Sequence, residues 1–97
     1  MISRENFAFT IGYEGHKAIV DAKAKRLYAK LDAIGLAEKG QYRAGFAWAL
    51  YGGDEAEIKA FLDYYNRVSG ASVSTVEQGS RLFGVTMVEV DSVLEVG

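Results

Sequence analysis

Apolar and polar positions alternate with two different periods along this chain, and the switches between them mark its elements. Near the start, Phe7, Phe9, Ile11 and Tyr13 recur at every second position with small residues between them, and residues 17–21 are again strand-like. That period of two, interrupted by Glu14-Gly15-His16, predicts a β-hairpin turning near Glu14-Gly15. A competing pattern starts a helix at His16, with Val20, Ala24, Leu27, Leu31 and Ile34 as its stripe. The hairpin is the preferred reading of the first part, followed by a helix from about Ala24.

Asp32 and Gly35 interrupt or kink that helix, and Glu38-Lys39-Gly40 ends it. The next segment, beginning near Gln41, is apolar on every side: Tyr42, Phe46, Ala49 and Leu50 form one stripe, while Ala44, Ala47, Trp48 and Tyr51 cover the opposite face. A helix apolar all round is a buried helix, so this one needs neighbours on two sides or a partner on one. Gly52-Gly53 stops it, and Asp54 with Glu57 reads as an acidic capping box for a helix whose stripe is Ile58, Phe61, Leu62 and Tyr65. Gly70 closes that helix. Ser74 and Glu77 suggest another box, opening a short helix lined by Val76, Ser80 and Phe83 and ending at Gly84. Gly79 inside it costs about 1 kcal/mol relative to alanine.

Residues 85–96 admit two patterns. As a strand, Thr86, Val88, Val90, Ser92, Leu94 and Val96 make one apolar or small face, with Glu89, Asp91 and Glu95 turned to water. As a helix, Thr86 would be the cap and Glu89 would complete its box. Valine enrichment favours the strand. The expected fold is therefore α+β in a single domain over residues 1–97: an N-terminal β-hairpin, a central bundle of three to four helices, and a C-terminal strand completing a small antiparallel sheet. The expected core is Ile19, Leu27, Leu31, Phe46, Leu50, Ile58, Phe61, Leu62, Phe83, Val88 and Val90.

Composition narrows the chemistry more than the fold. A hydrophobic share of 49% against 25% charged residues is ordinary for a globular protein and argues against intrinsic disorder. The absence of cysteine removes disulfides, thiol nucleophiles and cysteine metal sites, and fits a reducing cytoplasm. No apolar run approaches the ~20 residues of a membrane span. The opening residues lack the basic-then-apolar layout of a signal peptide, so a cytoplasmic location is expected. The net charge of -2 hides an uneven distribution: eight basic residues against five acidic ones through Trp48, and three against eight after it. Such a molecule could pair head to tail with itself or carry two solvated faces.

Candidate chemistry is sparse. His16 is the one histidine, and a serine triad built on it with Asp21 or Glu14 lacks a Gly-x-Ser-x-Gly elbow. No catalytic residue, cofactor or metal is expected. The turn Gly12-Tyr13-Glu14-Gly15 is similar in spacing to the GXXG loop with which KH domains clamp a single strand, although Glu14 places a negative charge where phosphates would lie. The match is too short to assign that family. It nevertheless defines an alternative reading as a single-stranded nucleic-acid binder using Gly12, Gly15, His16, Lys17, Lys23, Lys25 and Arg26, with Tyr13 and Tyr28 available to stack on bases. Asp21 interrupts that basic stretch, and the overall pI is about 5.3. The preferred reading is a non-catalytic protein-interaction or regulatory module, able to form a homodimer, with Trp48, Tyr51 and Tyr64 as its contact residues.

Overall fold

The computed structural model describes residues 2–97. Ser3 caps a short first helix, α1 (Arg4–Ala8), its hydroxyl accepting from the Asn6 amide. The expected hairpin follows as β1 (Thr10–Glu14) and β2 (Lys17–Asp21), paired antiparallel across Gly15-His16. Gly15 takes a φ of 62°, the left-handed conformation a tight hairpin turn asks of glycine. The helix reading from His16 is thereby excluded. Asp21 ends β2 and also caps α2 (Ala22–Tyr28), accepting from the Ala24 amide at 3.0 Å.

Asp32 does more than kink the chain: it caps a separate helix, α3 (Ala33–Glu38), by accepting from the Gly35 amide at 2.8 Å. The apolar helix is α4 (Tyr42–Gly52), and α5 (Glu55–Ser69) follows with Asp54 as its cap. The expected box at Asp54 is incomplete, because the Glu57 carboxylate is drawn 2.7 Å from Arg4. The next box forms one residue later than expected, between Thr75 and Gln78, at the head of α6 (Val76–Phe83). There are thus six helices among the described residues instead of three or four. The additional ones, α1 and α3, have five and six residues, too few to display a helical period.

β3 (Ser92–Val96) joins the hairpin, giving the order β1-β2-β3. It runs parallel to β2, which corrects the antiparallel sheet expected from the sequence: the sheet is mixed. Alternation reports that a strand exists but is silent about its direction, and direction here is set by the long helical crossover from β2 to β3. The face of β3 is also the reverse of the expected one. Val93 and Glu95 lie beside Ala18 and Val20, the fully buried inner face of β2, while Leu94 lies beside Ile19 and Val96 beside Asp21 on the outer face.

The core forms on both sides of α4, as its two-sided pattern requires. On one side the Phe46 ring meets Phe61 at 6.0 Å and Phe83 at 5.2 Å, and Tyr65 meets Phe83 edge-on at 5.0 Å. On the other, Ala44 joins Ala8, Phe9, Val20 and Leu36. Close approach depends on two helical glycines. A Cβ at Gly79 would lie 2.5 Å from the Phe46 ring, and one at Gly45 would lie 2.8 Å from the Phe61 ring. Of the expected core, Phe46, Ile58, Phe61 and Leu62 are buried, whereas Leu27 is 63% and Val88 42% exposed. Leu27 belongs to a seven-residue helix that buries Ala22 alone, and Val88 precedes β3 in a segment outside the ladder.

Candidate functional site

The three aromatic residues expected at an interface already have partners within the chain. Arg4 reaches from α1 across α4: its guanidinium lies 4.1 Å from the Trp48 ring centroid, its Nε donates to the Trp48 carbonyl at 2.8 Å, and its Nη2 donates to Glu57 at 2.7 Å. Trp48 is half-buried beneath that cation. Tyr51 donates its hydroxyl to the Ile2 carbonyl at 2.6 Å and stands 5.6 Å from the Phe7 ring. It also lines a cavity of about 600 Å³ with Ile2, Met87 and Val88. Tyr64, on α5, has the Arg67 guanidinium 5.3 Å from its ring.

The hairpin and the basic stretch are likewise tied to the C-terminal segment. The Asp91 amide donates to the His16 carbonyl at 2.8 Å, His16 Nδ1 donates to the Glu89 carbonyl at 3.1 Å, and the Tyr13 hydroxyl donates to the Thr86 carbonyl at 3.1 Å. Burial pushes the Tyr13 phenol above its ordinary value, and the neighbouring Arg43 cation partly offsets that. A Cβ at Gly12 or Gly15 would meet nothing, so neither glycine marks a close backbone approach at this turn. Lys17, Lys23 and Arg26 are exposed, while Lys25 reaches Glu95 at 3.2 Å. The basic and acidic ends of the sequence therefore meet inside one molecule.

Arg43 has a different task, invisible in the sequence. Its guanidinium donates to the Ile11 carbonyl and to the Gly84 carbonyl, each at 3.3 Å, joining a bulge in β1 to the C-terminal end of α6. A cation suits that helix end, where unpaired carbonyls carry partial negative charge. Among the described residues no three metal-ligating side chains converge. A second cavity, about 500 Å³, lies between α5 and the chain leading to α6, floored by Ile58, Leu62 and Val73. Asn66 fixes its wall by bonding both the amide and the carbonyl of Val73, and Lys59 on its rim is already paired with Asp63.

Leu27, Met87, Leu82 and Val68 are exposed singly on separate segments, whereas the outer face and free edge of the sheet leave adjacent apolar residues uncovered together. All five residues of β3 are exposed, with Leu94 at 45% and Val96 at 38%, and Ile19 beside Leu94 is only half-buried. These positions carry a readable signal in the alternation of residues 92–96, but its natural reading turns the apolar side inward. Comparison with protein families, with curated proteins and with solved structures finds no match. Among the described residues, no helix is long and apolar enough to cross a membrane.

Proposed function

We propose that this chain is a non-catalytic protein-interaction module that receives its partner along β3. The observation that carries this reading is the inverted face of that strand. Leu94 points outward beside Ile19 and Val96 beside Asp21, whereas the charged Glu95 lies on the inner side with Lys25. An apolar row next to an unpaired strand edge is a template for another strand, because main-chain groups supply affinity and alternate side chains supply selectivity. This reading favours β3 as the contact surface over Trp48, Tyr51 and Tyr64, each of which is engaged by a neighbouring residue. A cytoplasmic setting suits the cysteine-free sequence.

The test is selection of extended peptides from a random display library on the immobilised chain, compared with the Leu94→Lys variant. The wild type enriches peptides of alternating apolar residues, and the variant loses them. No enrichment over the variant contradicts the proposal. Salt-sensitive binding of single-stranded RNA or DNA, abolished by joint Lys23→Gln, Lys25→Gln and Arg26→Gln substitution, would instead establish the nucleic-acid alternative.

A further inference from the structure

We infer that residues 86–97 are a strap that opens as one unit while the rest of the chain stays folded, hinged at Gly84-Val85 and latched on the hairpin turn. The inference goes beyond the interaction reading above and does not depend on it.

Burial draws the boundary of the strap. Every buried member of the two apolar clusters lies at or before Val85, which is itself buried. From Thr86 to Gly97 each residue is exposed except Val90, which is half-buried. The free energy of burial scales with the apolar area removed from water, so opening this segment forfeits little of what holds the core together.

The attachments of the strap are polar and lie near the surface. β3 pairs with β2 along one edge alone. Beyond that ladder, the Tyr13 hydroxyl donates to the Thr86 carbonyl at 3.1 Å, His16 Nδ1 donates to the Glu89 carbonyl at 3.1 Å, and the Asp91 amide donates to the His16 carbonyl at 2.8 Å. Lys25 adds an ion pair to Glu95 at 3.2 Å. Water competes for exposed groups of this kind, so each tie contributes little net stability. Three of these four ties end on Tyr13 or His16, at the hairpin turn, which is therefore the latch.

The hinge is equally well marked. Gly84 closes α6 in the left-handed conformation, with φ 68°. Its carbonyl accepts from Arg43 at 3.3 Å, and the Val85 amide donates to the Ser80 carbonyl at 3.0 Å. The chain is thus pinned as far as Val85, whereas residues 86–91 belong to no helix or strand.

Opening has two consequences. It turns the β3-paired side of β2 into a free edge, whose main-chain groups the closed strap occupies. It also withdraws Met87, Val88 and Val90 from the cavity they share with Ile2 and Tyr51. A ligand that prefers one state shifts the balance by its differential affinity, so the strap is a two-state element through which binding at the sheet is regulated.

Native-state amide exchange of the full chain, followed in increasing urea below the unfolding transition, tests this. The β3 amides bonded to β2 and the Asp91 amide should share one opening. Their exchange should run about 100-fold or more ahead of α4 and α5, with a weak urea dependence because little surface is uncovered. Tyr13→Phe, which keeps the ring and loses the bond to Thr86, should speed that shared exchange about two- to tenfold. Asp54→Ala, which weakens the α5 cap, should speed exchange in α4 and α5 about fivefold yet leave the strap unchanged, because the open state keeps that helix.

Strap amides that exchange at the α4 rate with the α4 urea slope, or that Asp54→Ala accelerates as much as it does α4, show a single cooperative unit and overturn the inference. An opening that carries the β1–β2 amides with it overturns it too, since the moving unit would then be the whole sheet. An opening unmoved by Tyr13→Phe overturns the placement of the latch.

Discussion

α4 and β3 are both apolar stretches, but the fold treats them oppositely. α4 is apolar on every side and covered on every side, by α1 and α3, by the rings of α5 and α6, and by the inner side of β2. β3 is apolar on one side and has that side turned outward, with each of its residues exposed. The difference teaches that apolarity in a sequence reports a need for cover without saying who supplies it. Where the chain supplies the cover, as around Phe46, the residues carry stability. Where it does not, as at Leu94, they are available for a partner.

The sharpest break in the comparison is Phe46→Ala. Phe46 is fully buried between Phe61 and Phe83, so the variant should lose about 3 to 5 kcal/mol in chemical denaturation. Gly79→Ala comes next. Helix propensity alone would make it stabilising by about 1 kcal/mol. The added methyl, however, would lie 2.5 Å from the fully buried Phe46 ring, and a net loss of about 1 to 3 kcal/mol is expected. A net gain would show that α6 and α4 are less tightly joined than described. Asp54→Ala should cost about 1 kcal/mol, through loss of the bond to the Ala56 amide.

Alkaline pH probes where the packed half meets the C-terminal segment. Burial raises the Tyr13 phenol in the folded chain, while the unfolded phenol titrates near its ordinary value of about 10. Between those two values the folded state keeps a proton that the unfolded state has lost. Stability should therefore fall as pH climbs through that window, and Tyr13→Phe should flatten the slope. The smallest effect is expected at β3, where Leu94→Ser should change monomer stability by no more than about 0.5 kcal/mol. A loss comparable to that of Phe46→Ala would erase the distinction between the two regions.

Local signals were legible and long-range ones were not. Asp54, the Ile58-Phe61-Leu62-Tyr65 stripe and the stop at Gly70 each act within one helix, and α5 lies where they place it. The hairpin turn was legible for the same reason. Errors of a single residue, such as Thr75 capping in place of Ser74, arise because neighbouring hydroxyls compete for the same orphan amides. The parallel direction of β3, its inverted face, and the reach of Arg4 over Trp48 depend on contacts across most of the chain, and no periodicity encodes them. Gly79, which counts against a helix by propensity, becomes intelligible once Phe46 is seen against it. Trp48, Tyr51, Tyr64 and Lys25 have the aromatic or basic character of contact residues, but each meets a partner within the chain, Arg4, Ile2, Arg67 and Glu95 in turn, whereas Lys17, Lys23 and Arg26 stay exposed.

The most direct test of the contrast is residue-resolved amide hydrogen exchange on a dilute sample. The amides of α4 and α5 should exchange only through global unfolding, while those β3 amides that point away from β2 exchange orders of magnitude faster, as unpaired edge groups do. If the free edge of β3 is already as protected as α4 in the dilute sample, the edge is covered from within the chain and the account is contradicted.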